Sequence, residues 1–167
     1  MVMRWLARRR VALGFLCSIV AIWLAEPTMR SLAAGAVIAL AGEALRIWAA
    51  GHLEKGREVT ASGPYRLTRH PLYVGSALIG IGVAVASASR FVAVLTAVYL
   101  ALTLTAAIRT EEAHLTDKFG TEYPEYRDGR APAVQRHFSI DRVLRNREYR
   151  AVAGLALALA LLTLKTL

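Results

Sequence analysis

Cysteine is almost absent from this sequence of 167 residues, since Cys17 is the only one and lies inside an apolar run. A single cysteine forms no internal disulfide, and without a cysteine and histidine cluster we expect no zinc or iron–sulfur site. The sequence also lacks a G-x-G-x-x-G motif after a predicted strand, which excludes a dinucleotide site of the Rossmann type. We therefore predict no bound metal, and any cofactor must bind in a pocket between helices.

Charged residues are missing from several long stretches, although they make up 20% of the chain. Hydrophobic residues make up 56%, and the mean hydropathy is +0.41. Such segregation is typical of membrane spans. We predict an all-α, polytopic membrane bundle that forms one domain over residues 1–167, with four core spans and a fifth near the C-terminus. The predicted spans are 11–25, 31–51, 72–88, 91–108 and 151–164.

The chain has a formal net charge of +9, and its basic residues flank the apolar spans instead of forming one face. The distribution therefore indicates membrane orientation and not nucleic-acid binding. With the N-terminus in the cytoplasm, seventeen Lys and Arg residues lie on the cytoplasmic side and three lie opposite. The positive-inside rule then predicts that the N-terminus and segments 52–70 and 109–150 are cytoplasmic, as in a multi-pass protein of a bacterial inner membrane. Membrane lipids are the expected partners.

The stretch Gly63–Gly75 combines a turn, two arginines, a histidine and two tyrosines at the start of an apolar segment. Pro71 suits the first position of a helix, and His70 then occupies the cap position. The free N–H groups and the positive dipole end of such a helix favour a ligand with a carboxylate. The short connection after this span predicts an antiparallel hairpin, which brings the Glu111-Glu112 pair to the same cytoplasmic face. Carboxylates bind an ammonium group and arginines bind a carboxylate, so this face suits the amino-acid part of S-adenosylmethionine.

The second predicted span contains two charges, Glu43 and Arg46, which share a helix face at spacing i,i+3. Charges at membrane depth are normally paired and face protein or a cavity. Two interpretations remain open here, a structural ion pair and the wall of a substrate or cofactor chamber. The third span contains small residues that predict close approach of a neighbouring helix. They are Gly75, Ser76, Gly80 and Gly82.

Two motifs in this chain resemble those of a known enzyme family. Residues 63–75 contain Gly-Pro-Tyr, Arg-His-Pro-Leu-Tyr and a final Gly, and residues 111–126 contain Glu-Glu-x-x-Leu and Phe-Gly-x-x-Tyr-x-x-Tyr. The combination resembles the isoprenylcysteine carboxyl methyltransferase family, in the form of a small bacterial member, within a wider group that includes the phospholipid N-methyltransferases. The resemblance implies a membrane enzyme that uses S-adenosylmethionine to methylate a lipophilic acceptor.

The resemblance also implies roles for individual residues. Four residues of the first motif are expected to contact the cofactor, namely Tyr65, Leu67, His70 and Tyr73. Glu112, or its neighbour Glu111, is expected to bind the amino group of the cofactor.

The acceptor itself stays open between a prenylcysteine-like carboxylate and a lipid amine or thiol. A carboxylate acceptor is already ionised and needs an arginine to orient it, for which Arg46, Arg69 and Arg109 are the candidates. An amine or thiol needs a base, which His70, His114 or a glutamate such as Glu111 could provide.

Two other functions compete with methyl transfer. NADPH-dependent membrane reductases of the sterol and steroid type resemble the same hairpin, and a third possibility is a membrane subunit without catalytic activity. The length of 167 residues and the Glu111-Glu112 pair favour methyl transfer over the reductase. The intact His70, Tyr73, Glu111 and Glu112 argue against a subunit that has lost its activity. The oligomeric state is left open.

Overall fold

The computed structural model describes residues 2–130 and 136–167, and within residues 2–11 only the side chain of Arg9 is described. This part of the chain forms seven α-helices, a short 3₁₀ helix at Gly63–Arg66 and no strand. The helices are α1 (Val2–Leu24), α2 (Met29–His52), α3 (Pro71–Ser87), α4 (Arg90–Phe119), α5 (Glu122–Arg127), α6 (Ile140–Arg145) and α7 (Tyr149–Leu164). The predicted all-α class is confirmed.

Two helices, α2 and α4, are long and apolar enough to cross a membrane. Three further apolar helical segments among the described residues are shorter, namely Ala12–Leu24, Pro71–Ser87 and Tyr149–Leu164. The structure therefore agrees with a helical membrane protein, while the count of four or five spans stays a prediction.

The start of α3 lies where the sequence predicts it, and α4 ends at a glycine, a residue that commonly stops a helix. Pro71 is the first residue of α3 and His70 is its cap residue. Gly120 ends α4 with a φ of 55°, a left-handed conformation that glycine adopts without a Cβ penalty. Helix α6 was not predicted, because its six residues are too short and too rich in arginine to show an apolar period.

Helix α2 packs most extensively against α3, because glycines bring the two backbones into contact. A Cβ atom on Gly82 would lie 2.5 Å from the backbone nitrogen of Ala39, and one on Gly42 would lie 2.7 Å from the carbonyl oxygen of Gly75. Gly80 faces the other way, with Leu100 of α4 2.7 Å from the position of its missing Cβ. The predicted close approach is confirmed, and it involves both neighbours of α3.

The segment between α5 and α7 covers the C-terminal end of α2. Asn146 donates hydrogen bonds to the carbonyl oxygens of Ala50 and Leu53 at 2.9 and 3.0 Å. The Nε of Arg142 donates to the carbonyl of Gly51 at 2.6 Å. These bonds satisfy carbonyl groups that a helix end leaves without intrahelical partners. They also fix the start of α7 beside the end of α2.

The α2–α3 contact predicts the effect of a single methyl group. We expect Gly82→Ala to lower the free energy of unfolding by about 1–3 kcal/mol, because the added Cβ meets backbone that cannot move away. Gly154→Ala is the matched control, since Gly154 lies in apolar α7 with nothing within 4 Å of its missing Cβ. Alanine is a better helix former than glycine, so the control should leave stability unchanged or raise it. Thermal unfolding in detergent measures both, and an equal response of the two variants would contradict the packing.

Candidate active site

A large cavity lies between α1, α3 and α4 and extends to the end of the bundle where α3 and α7 begin. Its volume is about 1370 Å³. One part of the cavity, the polar end, is lined by residues from five parts of the chain, chiefly Arg46, Tyr65, His70, Tyr73, Glu111 and Glu148. The other part, the apolar arm, runs along the middle turns of the helices. It is lined chiefly by Cys17, Ala21, Ile79, Val83, Leu100 and Leu104. One cavity therefore joins charged groups to a hydrophobic channel.

Glu112 holds three elements together at the polar end. Its Oε1 atom accepts from His70 Nε2 at 3.1 Å and from the Tyr123 hydroxyl at 3.2 Å. The same oxygen lies 3.3 Å from Nη1 of Arg69. These partners come from the start of α3, the segment before it and α5, whereas Glu112 itself lies near the end of α4. The carboxylate of Glu112 therefore links the two helices of the predicted hairpin, α3 and α4, at the ends predicted to be cytoplasmic.

The surroundings of Glu112 change its proton affinity. Burial alone would raise its pKa, but the hydrogen bonds from His70 and Tyr123 and the charges of His70 and Arg69 outweigh burial and lower it. Glu112 is therefore ionised in the folded protein over the whole neutral range.

Tyrosines form another part of the polar end. The Tyr126 hydroxyl donates to the carbonyl oxygen of Tyr65 at 2.6 Å, which holds α5 on the 3₁₀ helix. Burial raises the pKa of Tyr65, and the charges of Glu111 and Glu148 raise it further. Burial also raises the pKa of Tyr126, to about 12. Both hydroxyls are consequently protonated at neutral pH and can donate hydrogen bonds.

Arg46 lies where the polar end meets the apolar arm, and all three of its nitrogens are engaged. Nε and Nη2 both lie 2.6 Å from Oε1 of Glu148. Nη1 donates to the Ser76 hydroxyl at 2.5 Å and to the carbonyl oxygen of Leu72 at 3.3 Å. The pair with Glu43 is much looser, at 3.9 Å. Of the two interpretations of the intramembrane charges, the chamber wall applies to Arg46, whereas Glu43 is buried and does not line the cavity.

The cavity brings together most of the residues that the sequence singles out. Eight of the ten candidate site residues line it, namely Arg46, Tyr65, Arg69, His70, Tyr73, Arg109, Glu111 and His114. Leu67 does not, because its side chain is 78% exposed and directed away from the cavity. Glu112 does not line it either, since its carboxylate faces Arg69, His70 and Tyr123. Of the two carboxylates, Glu111 is the one that lines the cavity, and the role of either one in binding the cofactor stays a prediction.

Sequence reasoning missed Glu148, which is 5% exposed and lines the cavity. No motif includes it. The available signal is one acidic residue among Arg145, Arg147 and Arg150, shortly before the apolar run that begins at Ala151. Among the residues that the structure describes, no group of three or more His, Cys, Asp or Glu side chains could hold a metal ion.

Comparison with known proteins adds a family assignment. A family model described as phospholipid methyltransferase matches residues 9–122, roughly two thirds of the chain. The cobalt-zinc-cadmium resistance protein CzcN of Cupriavidus metallidurans is 39% identical over 83 residues, which are 48% of this chain and 38% of that protein. The nickel-cobalt-cadmium resistance protein NccN of Alcaligenes xylosoxydans xylosoxydans is 30% identical over 106 residues, which are 62% of this chain and 48% of that protein. The aligned part thus spans less than half the length of either relative, and no solved structure matches the chain.

The contacts of Glu112 predict a difference in acid stability. A carboxyl group whose pKa is lowered by folding stabilises the folded state above its unfolded pKa of about 4.3, and this contribution is lost as the pH falls through the lower folded pKa. We expect wild-type protein to lose more thermal stability between pH 7 and pH 3 than Glu112→Gln, which has no carboxylate to protonate. Glu122→Gln, at an exposed position of α5, is the control and should follow the wild type. Equal acid losses in wild type and Glu112→Gln would show that these contacts do not stabilise the fold.

Proposed function

This chain belongs to the phospholipid methyltransferase family, whose members are membrane methyltransferases, and we propose that it transfers a methyl group from S-adenosylmethionine to a lipophilic acceptor. The observation that carries the proposal is the single cavity that joins the charged polar end to the apolar arm. A charged methyl donor needs polar surroundings and the chain of the acceptor needs apolar ones, and the two must adjoin where the methyl group is transferred. The cavity provides both surroundings, and its volume exceeds the usual range for one small ligand of roughly 300–1,000 Å³.

The residues at the polar end fit the methyl donor. Glu111 lines the cavity and offers a carboxylate for the ammonium group, while Arg109 offers a cation for the carboxylate. Tyr65 and Tyr73 offer aromatic faces and hydroxyl groups beside them. When bound, S-adenosylmethionine supplies an electrophilic methyl group, so that a lone pair of the acceptor forms the new bond to carbon while the carbon–sulfur bond breaks and its electrons stay on sulfur.

The protein contributes position and a dry environment to such a transfer. His70 and Arg69 are held on Glu112, so the start of α3 and the end of α4 keep a fixed separation. The apolar arm excludes water from an acceptor whose chain fills it, and holding the reactants in line lowers the barrier without a strong acid or base. Among the three candidate arginines, Arg46 is the one placed between the arm and the polar end.

We further propose the membrane arrangement that the charge distribution indicates. Four helices, α1 to α4, cross the inner membrane, α7 forms a fifth span, and the polar end faces the cytoplasm. The concentration of Lys and Arg at the N-terminus, in residues 52–70 and in residues 109–150 supports this orientation.

Ligand-induced stabilisation tests the methyl donor against the reductase alternative. Purified protein in detergent should be stabilised by S-adenosylhomocysteine, by about 2.7 kcal/mol at a hundredfold excess over Kd, and not by NADPH. Glu111→Gln and His70→Ala should lose this stabilisation, because they remove the ammonium partner and a residue of the cavity wall. Glu122→Gln, at an exposed position that does not line the cavity, should keep it. Stabilisation by NADPH alone would overturn the proposal in favour of a reductase.

Matched substitutions on α3 test the apolar arm. Val83 lines the arm, whereas Val85 lies two residues further on the same helix and is exposed on its outer surface. We expect Val83→Phe to lower transfer of a radiolabelled methyl group to extracted native lipids by about tenfold or more, because the ring occupies space needed by the acyl chain. Stabilisation by S-adenosylhomocysteine should persist. Val85→Phe should leave both measurements unchanged, and equal losses of transfer in the two variants would argue against the arm as the acceptor site.

A further inference from the structure

The segment that leads into α7 has two sides with different surroundings. Its inner side contains Asn146 and Glu148, which line the cavity. Its outer side contains Arg145, Arg147 and Arg150, which are exposed and do not line the cavity. The proposed methyl transfer uses only the inner side. The three arginines of the outer side, the basic surface, therefore have no role in the cavity.

Most of the positive charge of the basic surface is not balanced within the protein. Nη2 of Arg145 lies 3.4 Å from Oε1 of Glu54, which is a loose contact. Among the described residues, Arg147 and Arg150 form no ion pair at all. Two exposed guanidinium groups three positions apart are consequently available to an anion outside the protein.

Arg147 occupies a backbone conformation that is unusual for an arginine. Its φ is 60°, in the left-handed region where a Cβ atom is crowded and where glycine is the residue that fits without strain. The turn between α6 and α7 is closed by the backbone, since the N–H of Arg147 donates to the carbonyl oxygen of Leu144 at 3.0 Å. The turn thus needs no cation, and an arginine held there at a conformational cost indicates that its side chain binds something.

Contacts with α2 place the basic surface at the level where the long helices end. The N–H of Ser139 donates to the carbonyl oxygen of Gly51 at 3.1 Å, and Asn146 donates to the carbonyl oxygens of Ala50 and Leu53. Because α2 is long and apolar enough to cross a membrane, its last residues lie at the boundary between hydrocarbon and water. In the proposed membrane arrangement the basic surface therefore lies beside the lipid headgroups.

Large apolar side chains accompany the arginines on this segment. Ile140 and Leu144 are spaced i,i+4 on α6 and are 64% and 54% exposed, and Tyr149 is 51% exposed. The guanidinium carbon of Arg150 lies 6.0 Å from the centre of the Tyr149 ring. At a membrane surface the apolar side chains can enter the boundary of the acyl chains while the arginines contact phosphate groups. Cations and apolar groups together fit a lipid better than a soluble anion.

We propose that the basic surface is a docking site for the headgroup of an anionic phospholipid, in which Arg147 and Arg150 bind the phosphate group. The net negative charge of the lipid selects it over a zwitterionic one. This site lies outside the cavity and does not depend on the identity of the methyl donor or acceptor. A lipid held there would also stabilise the segment that places Glu148 at the polar end.

Lipids with matched chains test the preference for charge. Purified wild-type protein in a neutral detergent is titrated with dioctanoylphosphatidylglycerol, dioctanoylphosphatidylcholine or glycerol phosphate, and thermal stabilisation gives each apparent affinity. The anionic lipid should bind at least about tenfold more tightly than the zwitterionic one, and added salt should reduce the difference. Equal affinity for the two lipids would overturn the proposal. Equal stabilisation by glycerol phosphate would also overturn it, because the site would then bind a free phosphate.

A double variant assigns the preference to the basic surface. Arg147→Gly should leave the stability without lipid unchanged or raise it, because glycine adopts a φ of 60° without strain. Combined with Arg150→Gln, it should lower the affinity for the anionic lipid by about tenfold or more. The matched control, Arg127→Gln with Arg130→Gln, removes the same charge from exposed positions on the same predicted side of the membrane and should keep the preference. Equal losses in the two double variants would overturn the assignment.

The cavity also contains cations, so a further variant separates it from the basic surface. Arg109 lines the cavity, and Arg109→Gln should keep the preference for the anionic lipid. Loss of the preference in Arg109→Gln, with no loss in the double variant of the basic surface, would place the lipid in the cavity and overturn the proposal. The comparison of lipids on the wild-type protein stands even if a variant does not fold.

Discussion

The contact between the backbones of α2 and α3 is the constraint on which the site depends. Gly42 and Gly82 allow the two helices to meet without side chains between them. Gly75 leaves room for the stem of Arg46, whose Cγ atom lies 2.5 Å from where a Cβ would be. The guanidinium group therefore reaches Ser76 across the helix interface. A wider separation would break the contacts of Nη1 with Ser76 and Leu72 and leave the buried charge held by Glu148 alone.

Two carboxylates organise the polar end in the same way, each holding cations from other elements. Glu112 joins α4 to Arg69 and His70, and Glu148 joins the start of α7 to Arg46 on α2. In both cases the contacts converge on one oxygen. Such sharing balances charge within a partly buried region, where an unpaired ion is strongly disfavoured. Because Glu112 holds the cations of α3, Glu111 does not have to do so, and it lines the cavity instead.

The C-terminal segment links stability to the proposed chemistry. Arg142 and Asn146 cap the end of α2, and the chain that follows places Glu148 in the cavity. The family match ends at residue 122, before this segment begins.

Local patterns in the sequence determined the helical class, the start of α3 at Pro71, the end of α4 at Gly120 and the small residues that face α2, because these depend on periodicity and backbone preference. The resemblance of the motifs pointed to the wider group that includes the phospholipid methyltransferase family, to which the chain belongs. Only the tertiary structure decided that Glu111 and not Glu112 lines the cavity, that Leu67 lies outside it, and that Arg46 binds Glu148 more closely than Glu43. Neighbours in sequence point in different directions on a helix, and residues 102 positions apart meet only when packing brings their helices together.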